Sequence, residues 1–314
     1  MLESKKSELT IGMPIYNNEK IIRNCLEKIL SLPFTNFKLI ISHDGPNKII
    51  SKMCKEYQIS DKRIQYFEQE NNIGSKNNFE FVLKKASSEY FCWVAQDDEI
   101  LTGFIEKNIQ VLKENKNVVC SSSQVELFGE RIDSIKIKKN DSRFLKIKKK
   151  ILLKFAHIEN ISTNDSYQNN VRMYLRKRGH QHIFYGIYRT EQLKKILVTE
   201  ITHAFDWASM INALRYGNFH VINEVLCKRY DGGVSSKGLF NYAKVNRLKK
   251  IDMIFLNAKF VSWCYNNLDK KIFMQNLDCF CFTILEGFFY LFVDFSRYVL
   301  KKNLKNNLIN SKKN

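Results

Sequence analysis

Proline is scarce in this chain, three residues in 314, and glycine stops at twelve, so no long flexible linker is written into it. The eight cysteines form no CxxC pair and no metal-finger spacing. Cys279 and Cys281 come nearest, inside an apolar run where reduced thiols behave as small hydrophobes. The opening residues Met1 to Thr10 are polar and charged, and no secretory leader is visible among them. A cytosolic, thiol-reduced protein is the expectation. No GxGxxG follows the first strand-like run and no GxxxxGK[ST] occurs, which argues against a dinucleotide fold or a P-loop enzyme. No internal repeat is apparent.

What is present is an apolar content of 44%, that of a globular protein, in a chain long enough for one large α/β domain with appendages or two modest domains. The net charge is +19, with a pI near 9.5. Its placement matters more than its total. Between Lys136 and Lys154 nine Lys or Arg face one acid, Asp141, and from Phe240 onward thirteen basic residues face five acidic ones. The remainder is close to balanced. Basic stretches of this kind suit nucleic acid, anionic membrane or phosphorylated ligands, and charge alone does not choose among them.

The first 125 residues alternate between strand and helix patterns. Leu9 to Met13 reads as a buried strand ended by Pro14, and Asn17 or Asn18 caps a helix whose Ile22, Leu26, Ile29 and Leu30 share one face. FKLIIS from Phe37 is a second strand, followed by a helix through Met53 and Tyr57; Ile64 to Phe67 is a third, followed by a helix through Val82 and Leu83. YFCWVA from Tyr90 is nearly continuous in apolar residues, as a central strand is, and a helix from about Thr102 to Lys113 precedes a strand at Val118 to Val125. Repeated βα units imply a parallel sheet covered on both faces. Residues 128–154 read as a polar, basic loop or helical excursion, His182 to Tyr188 as a strand, Ala204 to Tyr216 as a helix and Phe219 to Leu226 as a strand. Everything after Gly238 reads helical.

Ligands of parallel sheets bind beyond the carboxyl ends of the strands. Three polar clusters fall at such ends: Pro14-Ile15-Tyr16-Asn17-Asn18-Glu19, His43-Asp44-Gly45 and Gln96-Asp97-Asp98-Glu99. Acids directly after a buried strand repel one another unless a hard divalent cation bridges them to substrate oxygens. The alternative is an acidic cap for the helix near Thr102.

In order and spacing, PIYNNE, ISHDG, NNIGSKNN and YFCWVAQDDE resemble the bacterial family-two glycosyltransferases of the GT-A fold, over roughly the first 125 residues. The resemblance implies a Rossmann-like α/β nucleotide-sugar domain with a mostly parallel sheet. It implies that Tyr16 lies against the base and that Asp44 accepts hydrogen bonds from it. Pro14 and Glu19 belong to the first nucleotide-sugar motif. The Asp97-Asp98 pair corresponds to the family's metal-binding acids, with Asp98 as the direct ligand of Mg²⁺ or Mn²⁺ and Asp97 in support. Lys76 stands where a basic residue often approaches the diphosphate. Phe205-Asp206 resembles the later acidic motif that holds the catalytic base, with Phe where Glu is common. Arg229-Tyr230-Asp231 stands where relatives carry Arg followed two residues later by His. His180 and His182 share one strand face without a third ligand nearby, too few for a zinc site.

The reading that follows is a catalytic domain over 1–237, with a nucleotide part at 1–125 and an acceptor part at 126–237, and a helical extension over 238–314. The function implied is transfer of a sugar from a nucleotide diphosphate sugar, a UDP-sugar first, to a glycan or lipid-linked acceptor in surface polysaccharide or glycolipid assembly, with inversion. In the extension, Ile272 to Leu300 is apolar and aromatic, but Asp278, Glu286 and Asp294 interrupt it every eight residues, which weighs against a spanning helix. It packs on the catalytic domain or lies on an anionic membrane surface, helped by Lys301, Lys302, Lys305, Lys312 and Lys313. A cytoplasmic protein, peripheral on the inner face of the membrane, fits that second reading. A nucleotidyltransferase is the nearest enzymatic rival, but PIYNNE is no Gly-rich phosphate loop. A nucleic-acid-binding protein is the rival from charge; the basic residues lie away from the motif-bearing sheet and no nucleic-acid module appears, so nucleic acid is not an expected partner. An inactive glycan-binding relative shares the fold and differs only in turnover.

Overall fold

The computed structural model describes residues 7–156, 159–177, 182–233 and 238–310. The chain divides into two units, the first from Met1–Glu200 and Phe205–Gly233, the second from Ile201–Ala204 and Val234–Asn314. Ile201–Ala204 and the residues from Val234 onward thus group with the helical extension.

The first unit opens with β1 (Leu9–Ile15), α1 (Glu19–Leu30), β2 (Phe37–His43), α2 (Lys48–Ser60), β3 (Ile64–Glu68), α3 (Ser75–Lys85), β4 (Tyr90–Trp93), β5 (Glu99–Ile100) and α4 (Phe104–Glu114). It continues through β6 (Val118–Phe128), α5 (Glu130–Ile135), α6 (Arg143–Ala156), α7 (Tyr167–Lys177), a 3₁₀ turn (Ile183–Tyr185), β7 (Ile187–Arg189), α8 (Thr190–Ile196), α9 (Phe205–Ala213) and β8 (Asn218–Tyr230). Eight strands form one sheet in the order β3-β2-β1-β4-β7-β6-β8-β5. The pairs β1–β2, β1–β4, β2–β3 and β6–β8 are parallel; β4–β7, β6–β7 and β5–β8 are antiparallel. The fold is the mixed α/β, mostly parallel architecture that the alternation implied.

The buried strands β1 and β2 explain why the sheet is stable. Leu9, Ile11, Met13, Leu39 and Ile41 are fully enclosed with Leu26 of α1, each worth about 1.5–3 kcal/mol of transfer. Gly12 is small because Phe91 and Val82 pack over it; an added Cβ would stand 2.6 Å from the Phe91 ring. α1 begins at Asn18, which sits in the left-handed region (φ 75°) and accepts the Ile21 N–H. α2 is capped by Asn47, which accepts from Ile49 and Ile50.

Several elements refine or differ from the sequence reading. β1 continues through Pro14 to Ile15 instead of ending at the proline. Val94 N–H bonds to Gly12 and Asp44 N–H to Ile15, so alternate residues face β4 and β2. Pro14 falls on the β4 side after β4 has ended at Trp93, where a missing N–H breaks no ladder. The HIFYGIY segment is a 3₁₀ turn followed by the short β7, because Gly186 lies against the Cys120 sulfur and the Ser121 carbonyl, 2.5 and 2.7 Å from where a Cβ would be. Residues 128–154 hold two helices, α5 and α6. The predicted helix at Ala204–Tyr216 is the shorter α9, and the strand at Phe219–Leu226 extends to thirteen residues in β8, bulged against β6.

The second unit is helical: α10 (Leu239–Val245), α11 (Lys250–Ile254), α12 (Ala258–Asn267), α13 (Lys270–Gln275) and the long α14 (Leu277–Asn310). Its interior holds Phe260, Trp263, Phe273 and Phe280, with Phe273 and Phe280 stacked at 4.5 Å. His203, from the Ile201–Ala204 segment, contacts Tyr242 at 3.2 Å and Asn257 at 3.0 Å. Burial pushes His203 down to about 4, so it is neutral near pH 7.

Candidate active site

The loops after β1, β2 and β4 meet at the carboxyl end of the sheet. Gln96 joins two of them: its Oε1 accepts the Tyr16 N–H at 2.8 Å, and its Nε2 donates to the Asn17 carbonyl at 2.9 Å. His43 supports the same loop, with Nε2 3.2 Å from the Tyr16 carbonyl and Nδ1 3.0 Å from the Tyr66 hydroxyl. Burial pushes His43 below the ordinary histidine value, so the neutral ring donates to Tyr16 and accepts from Tyr66. The Tyr16 backbone is thereby fixed from two sides while its ring stays exposed, as a stacking surface for a planar ligand requires. Asp44 is buried, and its carboxylate accepts the Ile73 N–H at 2.5 Å. Asn78 bridges the diverging ends of β1 and β2, donating to the Ile15 and Ser42 carbonyls at 3.2 and 3.0 Å.

The acidic loop after β4 holds the clearest departure from expectation. Asp98 is buried, and both its oxygens are engaged: Arg229 at the end of β8 donates to one, and the Tyr230 N–H reaches the other at 3.1 Å. Burial pushes the Asp98 carboxyl up and the guanidinium pulls it back, while Arg229 remains a cation. Arg229 also lies over the Tyr185 ring, 3.9 Å from its centroid. Asp97 is only half-buried and, with Gln96, Asp98, Glu99 and Tyr230, lines a cleft of about 160 Å³. Glu99 is paired with Lys28 at 2.8 Å. The N-cap of α4 is Gly103, which has no side chain to supply a capping bond.

A hard divalent cation needs oxygen donors, and Asp97 and Asp98 present carboxylates to one cleft; among the described residues no set of three or more His, Cys, Asp or Glu converges to hold a metal. Carboxylate oxygen is the donor chemistry that Mg²⁺ or Mn²⁺ takes, and of the two acids Asp98 already has both oxygens engaged by Arg229 and the Tyr230 N–H.

Asp206 stands in the first turn of α9, and its carboxylate accepts the backbone N–H of Trp207. Dense surroundings push it up to about 6. An aromatic cluster holds this helix start: Phe205 lies 6.2 Å from Phe79 and 5.6 Å from Phe184, and Phe184 stacks on Trp93 of β4 at 4.5 Å. The Tyr185 hydroxyl feels the charges of Asp98, Arg229, Asp206 and Asp97, so the two acidic motifs, far apart in sequence, share one neighbourhood.

The other expected residues are placed as follows. Lys76, near the start of α3, is largely covered rather than solvated; it donates to the Thr199 carbonyl at 2.8 Å and lies 3.7 Å from Glu80. Glu19 pairs with Arg23 one turn along α1 at 2.6 Å. Pro14 is buried within β1. Asp231 points to Arg131 at 2.5 Å. The His182 N–H donates to Asn160 at 2.6 Å, and His180, Lys312 and Lys313 lie outside the described residues. Gln96, His43 and Tyr185 are site residues beyond those the sequence picks out; Gln96 and His43 stand inside the polar clusters at the strand ends and Tyr185 inside the HIFYGIY run, which is the available signal.

Comparisons with known proteins bear on this geometry. Glycosyltransferase GlyA of Streptococcus pneumoniae is 32% identical over 99 residues, 32% of this chain and 14% of the relative. GalNAc(5)-diNAcBac-PP-undecaprenol beta-1,3-glucosyltransferase of Campylobacter jejuni is 26% identical over 207 residues, 58% of this chain and 64% of the relative. The chain thus spans less than two thirds of either relative. Among solved structures, S. aureus TarS 1-349 in complex with UDP-GlcNAc superposes with a TM-score of 0.53 at 15% identity, covering 88% of this chain and 81% of that one. Mannosyltransferase PcManGT from Pyrobaculum calidifontis, in complex with GDP-Man and Mn2+, gives 0.55 at 11% identity, covering 97% and 81%. At such identities the likeness is one of fold. Residues 10–197, more than half of the chain, match the profile of glycosyl transferase family 2, and the protein belongs to that family.

Proposed function

We propose that this chain transfers a sugar from a nucleotide diphosphate sugar to an acceptor hydroxyl, with inversion, and that Asp206 is the general base. The observation that carries the proposal is the Asp206 carboxyl. It is distinct from the Asp97-Asp98 pair, shares their neighbourhood through Tyr185, and is pushed up to about 6, where a carboxylate is ionised near neutral pH yet basic enough to accept a proton. In the reaction the anomeric carbon–phosphate oxygen bond breaks and the electron pair leaves with the diphosphate. The acceptor oxygen bonds to the opposite face of that carbon, and its proton passes to Asp206.

The Tyr16 ring stacks on the base, held by Gln96 and His43, and Asp44 orients the base or the loop facing it. Lys76, with Pro14 and Glu19 framing the first loop, lies toward the diphosphate. Asp97 and Asp98 are the residues that would hold Mg²⁺ or Mn²⁺, and such an ion would supply charge neutralisation for the departing diphosphate. A UDP-sugar is the first donor to test, in line with the UDP-GlcNAc bound by TarS, and GDP-mannose is the second, in line with PcManGT. The named substrate of the Campylobacter relative supports a lipid-linked glycan acceptor, in surface polysaccharide or glycolipid assembly at the inner face of the membrane.

A panel of nucleotide sugars incubated with Mg²⁺ or Mn²⁺ should reveal one that is hydrolysed slowly and transferred to an acceptor. Asp206→Asn should then bind donor and metal as before and lose most transfer. Transfer by that variant at the wild-type rate would place the base elsewhere, with Glu191, Glu200 and Asp231 next to be replaced.

A further inference from the structure

The helix α14 is arranged contrary to a helix of a water-soluble protein. Its polar groups turn inward: Thr283 is buried with its carbonyl accepting from Asn257 at 2.6 Å, and Asp294 accepts the Leu239 N–H at the start of α10. Its outward positions Phe282, Leu285, Phe289 and Phe292, three and four residues apart, and Val299, two turns further on, are exposed by 42, 64, 63, 68 and 38%. Glu286 borders this stripe, half-buried and 3.3 Å from the hydroxyl of the exposed Tyr290. Of the acids that interrupt the apolar run in sequence, Asp294 turns inward, Glu286 stands at the edge of the outer face and Asp278 at its beginning.

The apolar surface does not stop at α14. Phe288 packs edge-on against Phe255 at 5.9 Å, and Phe255 follows α11, where Ile251 and Ile254 are also exposed. Four exposed cations run from the end of α10 to the start of α11, Lys244, Arg247, Lys249 and Lys250, next in sequence to those apolar residues. Leu277–Arg297 is also long and apolar enough to cross a membrane by length and composition, with 28% of it buried in the protein. Asp294, committed to α10, ties that stretch to its own unit and argues for a helix lying flat.

We infer that α14, together with α11 and the cationic turn before it, is an interfacial docking surface for an anionic lipid bilayer, with the aromatic stripe entering the headgroup–acyl boundary and Lys244, Arg247, Lys249 and Lys250 meeting the phosphates. The charge selects the occupant. An apolar stripe alone suits a second copy of the chain equally well, whereas a stripe beside four exposed cations, with Asp252 already paired to Lys259, carries a net positive charge that would repel its own copy and attract anionic headgroups. The inference deepens the lipid-linked acceptor reading above, yet its test uses no turnover.

The experiment is sedimentation of the full chain with vesicles of phosphatidylcholine alone or mixed with phosphatidylglycerol. The expected result is binding that requires the anionic lipid, weakens at about 1 M salt, and is released by alkaline carbonate. Phe289→Ser with Phe292→Ser should lower the partition by about tenfold or more, since two phenylalanines no longer enter the interface. Lys249→Glu with Lys250→Glu, both on the exposed turn, should lower it by a similar factor at low salt and keep the circular dichroism spectrum unchanged. The inference is overturned if the wild type ignores anionic vesicles, if both pairs bind like wild type, if carbonate leaves the protein in the membrane, or if light scattering shows a dimer that the phenylalanine pair dissociates. Sugar transfer without vesicle binding would fail this inference alone; vesicle binding without transfer would fail the Asp206 reading alone.

Discussion

The carboxyl end of the sheet and the outer face of α14 both lie open, and they are prepared for ligands in opposite ways. At the sheet, the polar groups are already engaged within the protein: Asp98 with Arg229, Asp44 with Ile73, Glu19 with Arg23, Lys76 with Thr199. A ligand there exchanges one set of hydrogen bonds for another, and selectivity follows from whether its groups replace what they displace. On α14 the outward apolar groups are largely exposed, and more than half of the exposed large hydrophobic residues described belong to the helical unit. A partner there adds contacts without displacing any, which favours affinity over discrimination.

Substitutions sharpen this contrast. The largest effect belongs to Asp206→Asn, which should reduce transfer by about 10²–10⁴-fold with donor affinity unchanged, measured by single-turnover kinetics and donor titration. Next is Arg229→Ala. It strands a buried carboxylate and should cost about 3–5 kcal/mol in denaturant unfolding, whereas replacing Arg229 and Asp98 together with leucine should cost much less. If the single variant were as stable as wild type, the ion pair would not hold the acidic loop. Smaller still is the pH response. With Asp206 raised to about 6, kcat should fall as pH drops through that value, because the protonated acid accepts no proton. Stability responds in the opposite direction. The folded-state value lies above the unfolded one, so the ionised carboxylate costs stability as pH rises through about 6, and Asp206→Asn should melt no lower than wild type at pH 8. The smallest effect is on α14: Phe292→Ser, at a site 68% exposed, should change unfolding free energy by no more than about 0.5 kcal/mol. A large loss there would mean the face is covered by its own chain and would break the comparison.

How much of this was legible beforehand follows from the range of the forces involved. The run from β1 to α4 was readable because buried strands and one-sided helices impose local periods on LTIGMPI and EKIIRNCLEKIL, and because parallel strands end in polar loops at their carboxyl ends. The partner of Asp98 was not readable as a partner. Arg229 stands 131 residues away, and only the parallel pairing of β6 with β8 and the antiparallel pairing of β5 with β8 bring it home. The 3₁₀ turn at Ile183–Tyr185 depends on the close approach of Gly186 to Cys120, a contact with no signature in the HIFYGIY pattern itself. The three acids of α14 showed their spacing but not their direction, since the period of eight that seemed to interrupt the run walks around the helix and carries Asp294 to the inner side.

The residue before Asp206 is Phe205, which packs on Phe79 and Phe184. A carboxylate at that position would titrate together with Asp206, and the pair would give up its protons in two coupled steps. Here the elevation to about 6 comes from desolvation, and no acidic neighbour is among its causes. With Asp206 as the base, the acid limb of the rate profile should therefore follow the loss of a single proton, without the second step that a paired carboxylate would add.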